Sequence, residues 1–150
     1  VKMKIAMACD HGAYKNKEAL KAKLIQEGYE VEDFGCFSEE SIDYPEVAYP
    51  CAKAVADGKA DRGIVMCGTG IGVSIVANKV PGIRCAHVHD LETAKLTREH
   101  NDSNVLAMGG RIISQELIEQ IAEVWLTTPF SNEERHQRRI AQIAELEKHA

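Results

Sequence analysis

The sequence predicts an α/β fold, a three-layer α/β/α sandwich built on a five-stranded parallel sheet. Short apolar runs alternate five times with longer helix-like stretches. The clearest runs are continuously apolar, as strands covered on both faces are. Glycine or aspartate follows them where a chain turns from strand to helix. The 150 residues suit one domain, residues 1–150, long enough to bury a core without staples.

Residues 4–9 read as the first strand, ended by Asp10-His11-Gly12. The run from Val1 to Ala8 reads as strand, not signal peptide, because no cleavage-type segment follows; valine at position 1 suggests a trimmed start. Residues 13–27, with Leu20 and Leu24 four apart, predict a helix closed by Gly28. Residues 29–34 read as a strand and 35–44 as a polar loop. Pro45 fits the opening of a helix to about 57. Residues 63–67 are the next strand, running through Gly68-Thr-Gly-Ile-Gly72 into a helix over 73–80. Pro81-Gly82 makes a turn and 83–88 a strand. Asp90 N-caps a helix over 91–100, and 104–108 is the fifth strand. Leu117, Ile118, Ile121, Val124 and Trp125 share one face of a helix over 114–127. Ser131-Asn-Glu-Glu134 has a capping-box pattern, opening a last helix over about 132–149.

The net charge of −5 argues against nonspecific binding to nucleic acid or an anionic membrane. No apolar run approaches the ~20 residues of a membrane span. Five cysteines, an odd number with no C-x-x-C pair, predict no disulfide framework and no structural zinc, and a reducing cytoplasm.

In such folds ligands bind outside the carboxyl ends of the strands. That selects Asp10-His11, residues 67–72, 87–90 and 109–111. Three glycines at alternate positions after a buried strand expose backbone N–H groups and suit an anion. The bland alternative is a turn that needs glycine for packing. A P-loop fails because no lysine follows; the dinucleotide fingerprint fails because Val73 stands after Gly72; a cysteine phosphatase fails because position 73 is not arginine. What remains is Cys67 beside an oxyanion cradle, at a strand end before a helix, where a thiolate is favoured. Cys9, Cys36, Cys51 and Cys85 read as buried and inert. His87 and His89 resemble two metal ligands, but alternate strand residues point to opposite faces, so no metal is expected there. Arg135 and Arg139 share a helix face and suit a phosphate dianion; a solvated face is the alternative.

Cys9-Asp-His11, Ser41-Ile-Asp-Tyr-Pro45, Cys67-Gly-Thr-Gly-Ile-Gly72, Ser74-Ile-Val-Ala-Asn-Lys79, Gly82-Ile-Arg84, Arg98-Glu-His-Asn-Asp102, Asn104-Val-Leu-Ala107, Gly110-Arg111 and Arg135-His-Gln-Arg-Arg139 occur in one order over nearly the whole chain. Together they resemble the type B ribose-5-phosphate isomerases, relatives of galactose-6-phosphate isomerase subunits. The resemblance implies a Rossmann-like sheet and a cytoplasmic homodimer (a tetramer is the alternative) with active sites between subunits and the last helix at the interface. It implies metal-free, cofactor-free interconversion of ribose 5-phosphate and ribulose 5-phosphate in the pentose phosphate pathway. By the same resemblance Cys67 is the base at C2, and the N–H groups from Gly68 through Gly70, Ile71 and Gly72 to Ser74, with Thr69 assisting, cradle the enediolate. His100 opens the sugar ring with Asp10. His11, Arg111, Arg135 and Arg139 bind phosphate, Asn101 binds a sugar hydroxyl, and Tyr44 joins the substrate contacts. His100 and Asn101 are the candidates for donation by the second subunit. The chain departs from the family at Glu133-Glu134, where two glycines are usual, and is one residue longer between Trp125 and that point. Ser74-Ile75 follows the ribose type. A six-carbon sugar phosphate of the galactose or allose type, or a phospho-ligand-binding module without chemistry, are the other readings.

Overall fold

The computed structural model describes residues 2–150, so Val1 lies outside the described residues. Five parallel strands, β1 (Lys4–Cys9), β2 (Glu30–Asp33), β3 (Arg62–Cys67), β4 (Cys85–His87) and β5 (Val105–Gly109), form one sheet in the order β2-β1-β3-β5-β4. Six helices alternate with and follow them: α1 (Tyr14–Gln26), α2 (Pro45–Ala56), α3 (Ile71–Ala77), α4 (Leu91–Asn101), α5 (Gln115–Thr127) and α6 (Glu134–Lys148).

The central strands β1, β3 and β5 are buried on both faces, and alternation sorts side chains by size. Ile5, Met7, Ile64, Met66, Leu106 and Met108 point to one face, where α1 and α5 supply Leu20, Leu24, Ile118, Ile121 and Trp125. Ala6, Ala8, Val65, Cys67 and Ala107 point to the other, where α2 and α3 bring Ala48, Cys51, Ala52 and Val73. Small residues on this second face let α2 and α3 approach closely. Cys67 is therefore on the small-residue face, at the last position of β3.

The local signals account for most boundaries. Pro45 is the first residue of α2. Asp90 and Ser114 cap α4 and α5 by accepting from Thr93 N and Leu117 N. Three expectations need correction. The Ser131 capping box does not form: Ser131 Oγ donates instead to Glu99 O at 2.7 Å, and α6 starts at Glu134 without a side-chain cap. Helix α3 starts two residues early and stops at Ala77, with Asn78 as its cap, whose side-chain amide pairs with both Cys85 N and Cys85 O. Strand β4 is shorter than expected, because Ile83 N donates to Val80 O in a turn. No helix among the described residues is long and apolar enough to cross a membrane.

Candidate active site

The chain turns from β1 to β2 on one side and reaches β3 on the other, so the connections that leave β1 and β3 part in opposite directions at their carboxyl ends. This switch point is where open parallel sheets form a ligand crevice. Its walls are the residues after β1, β3 and β5. Asp10 N donates to Met66 O at 3.2 Å and Asp10 Oδ1 accepts from Gly12 N at 2.9 Å, fixing Asp10 beside the end of β3. Gly110 N and Arg111 N donate to Cys67 O and Gly68 O, at 2.9 and 3.0 Å. The Arg111 guanidinium lies over Gly12 and Gly68: a Cβ added at Gly68 would come 3.4 Å from its Nη1.

Cys67 is 5% exposed, and its Sγ accepts the Gly70 N–H at 3.2 Å. Ile71 N donates to Thr69 Oγ1 and Ser74 N to Gly70 O. Three of the N–H groups expected in the cradle thus already have partners. Those of Gly68, Thr69, Gly72 and Val73 have none among the described residues, and they are the donors left for an oxyanion. The Ser74 hydroxyl is also engaged, donating to Ile71 O at 2.7 Å. Tyr44 lies on the loop: a Cβ at Gly72 would fall 2.5 Å from its ring. His11 Nδ1 accepts from Ile42 N at 3.2 Å, which leaves Nε2 as the nitrogen that can carry a proton.

The structure separates the remaining candidates from this group. Helix α4 begins at the carboxyl edge with Asp90 and runs back for 11 residues, ~16 Å, to the opposite edge. There Arg84 Nε, just before β4, donates to Asn101 O at 2.9 Å. His100 stacks on His136 of α6, ring centroids 4.4 Å apart and 18° from parallel. His136 is 6% exposed, and its Nε2 has no hydrogen-bond partner among the described residues. Its burial, then the neighbouring Arg135 and His100, hold it below the usual histidine pKa. Arg135 and Arg139 flank it on the same helix. The candidate residues therefore fall into two groups: Asp10, His11, Tyr44, Cys67 to Ser74 and Arg111 at one edge, and His100, Asn101, Arg135 and Arg139 at the other.

Two further histidine contacts escape the sequence. His87 Nε2 lies 2.8 Å from Thr69 O, at the glycine loop. The His87 and His89 rings meet edge to face at 4.3 Å, so they do not diverge as alternate strand residues should. The reason is that β4 ends at His87, and the period of two ends with it. Among the cysteines, Cys85 is only partly buried rather than fully so; burial pushes its thiol up to about 12.

The model of the Ribose/Galactose Isomerase family matches residues 5–143. The chain belongs to this family. It is 44% identical over 144 residues to ribose-5-phosphate isomerase B of Escherichia coli, covering 96% of each chain. It is 43% identical over 129 residues to the D-erythrulose-4-phosphate isomerase of Pectobacterium atrosepticum, covering 85% of each. The solved structure of Clostridium thermocellum ribose-5-phosphate isomerase B superposes with a TM-score of 0.95 at 47% identity, over 97% of this chain and 98% of that one. The protein is thus an isomerase with the α/β fold of its family, and the motifs that carried the resemblance lie along a matched length.

Proposed function

We propose that the protein interconverts ribose 5-phosphate and ribulose 5-phosphate through an enediolate. The Cys67 thiolate takes the proton from C2 of the open-chain aldose. The electron pair forms the C1–C2 double bond and leaves its charge on O1, where loop N–H donors hold it. The proton on sulfur returns to C1 while the O2 proton passes to O1, which yields the ketose and restores the thiolate. Phosphate binding by His11 and the arginines is remote from the reacting carbons, so its binding energy can orient them. The observation that carries this reading is the Gly70 N–H aimed at Cys67 Sγ in the crevice, since a hydrogen-bond donor favours negative charge on sulfur.

The reading requires a second copy of the chain. His100, placed to open the sugar ring with Asp10, stands at the wrong edge of its own subunit. A homodimer that sets the carboxyl edge of one protomer against the α4–α6 edge of the other completes two sites. Exposed apolar residues at each edge, Ile71 and Ile75 at one, Ile143 and Leu146 at the other, give such a dimer surface to bury.

The test is isomerase assay of the purified chain in deuterium oxide. Ribulose 5-phosphate is expected from ribose 5-phosphate, with solvent deuterium entering C2 of aldose formed in the reverse direction. Cys67→Ala should lose about 10³-fold in kcat with little change in affinity. Near wild-type turnover in that variant would remove the thiolate base. Saturable binding without exchange would make the chain a phospho-ligand-binding module. Faster turnover of a four- or six-carbon phosphate would move the substrate within the family. Activity is expected to survive EDTA.

A further inference from the structure

The Thr69–Gly70 peptide faces two ways. Its N–H donates to Cys67 Sγ at 3.2 Å, and its carbonyl, Thr69 O, meets His87 Nε2 at 2.8 Å. In a trans peptide these two groups point in opposite directions, so a partner on the carbonyl sets the aim of the N–H. A carbonyl oxygen can only accept, so His87 carries its proton on Nε2 and donates it. A hydrogen bond accepted at the carbonyl also polarises the peptide and strengthens its N–H as a donor. Gly70, at φ 82°, leaves room for the imidazole: a Cβ there would stand 2.6 Å from His87 Nε2. The His89 ring meets His87 in a T-shaped contact, centroids 4.3 Å apart, and restricts the imidazole.

We infer that His87 is a positioning residue, which holds the Thr69–Gly70 peptide so that its N–H stays on the Cys67 sulfur. This rests on the proposed role of Cys67 and extends it by one residue that touches neither sugar nor sulfur. Without the imidazole the peptide is free to rotate, and the sulfur loses its donor for part of the time.

Two variants and two readouts test this. His87→Leu removes the donor; His87→Gln returns an N–H of similar reach. Iodoacetamide alkylation of Cys67, followed against pH by peptide mass, reports on the sulfur whether or not it is the catalytic base. In His87→Leu the midpoint of that curve should rise by about one unit, which is roughly tenfold less thiolate at neutral pH. Turnover should fall by a similar factor with KM unchanged, and His87→Gln should restore most of both. An unmoved midpoint in His87→Leu, a change confined to KM, or a glutamine variant no better than leucine would overturn the inference. A moved midpoint alongside an active Cys67→Ala enzyme would instead leave His87 in place and remove the base.

Discussion

An alanine at Gly70 would carry its methyl group 2.6 Å from His87 Nε2 and 2.7 Å from the Met108 carbonyl carbon. It would also hold a left-handed backbone, which costs an L-residue ~1–2 kcal/mol before any clash. Gly70→Ala is expected to lower the denaturant midpoint and to abolish most isomerase activity, because relief of the clash displaces the peptide on Cys67. A variant with full activity would show that the loop tolerates a different path. Glu133 is the other informative position. Its Oε1 lies 3.6 Å from Arg135 Nη1 and its Oε2 3.5 Å from His136 Nε2, so a carboxylate stands where the family usually has glycine. If Arg135 binds phosphate as proposed, this carboxylate competes with the dianion for it. Glu133→Gln should lower KM for the sugar phosphate a few-fold at low ionic strength, and salt should shrink the difference, since the pair is exposed. Initial rates at two salt concentrations decide it; an unchanged KM would place the phosphate elsewhere. Both positions stood out in the sequence as a glycine pattern and as a departure, but neither contact did, because a close approach depends on elements distant along the chain.

Helix α1 is tied to β2 by a buried cation. Lys17 is fully buried, and its Nζ donates to both oxygens of Asp33 at 2.7 Å and to Cys36 O at 2.6 Å. Burial alone would raise the Asp33 carboxyl, but hydrogen bonds from Lys17, Lys21 and Gly35 N outweigh it and hold the carboxyl below its usual pKa. A carboxyl held low in the folded state contributes stability in full above its unfolded value near 3.8. That contribution is lost as pH falls through the folded value. Urea midpoints should therefore drop on acidification below pH 4, and less so in Asp33→Asn, which starts from a lower midpoint. Lys17→Met should cost about 3 kcal/mol at neutral pH, because it leaves a carboxylate and a carbonyl underpaired in the interior. A loss under 1 kcal/mol would mean that Lys21 alone suffices for Asp33. The elements themselves were largely legible. Apolar runs, Pro45, Asp90 and Gly28 act within a few residues, so they show in the sequence. The start of α6 did not, because Ser131 is drawn to Glu99, on a helix 32 residues earlier. The Lys17 pairing was equally hidden: from sequence, a lysine among helix-forming residues reads as a solvated one.

Over the whole molecule, the same sheet that gathers Asp10, Cys67 and Arg111 sends His100 to the opposite edge. The rule that ligands lie at strand carboxyl ends located the first group from sequence. It says nothing of residues at the far end of a helix, so the expected roles of His100 and Asn101 came only through resemblance, while Arg135 and Arg139 also stood out as two cations sharing a helix face. The structure adds that these four belong together, and the arginines expected to share one phosphate site with His11 and Arg111 are divided between the edges. If protomers complete each other's sites, two inactive variants should rescue one another. In a heterodimer of a Cys67→Ala chain with a His100→Ala chain, one site carries both defects and the other carries none. Random reassortment makes half of the dimers mixed, so equimolar mixing should recover about a quarter of wild-type activity. The measurement is turnover after the two purified variants are dissociated in mild denaturant and re-formed together, with each re-formed alone as control. Recovery should track dimer concentration on dilution. If the mixture stays as inactive as its components while the dimers reassort, Cys67 and His100 do not serve a common site across two chains, and ring opening must be assigned to a group at the Cys67 edge.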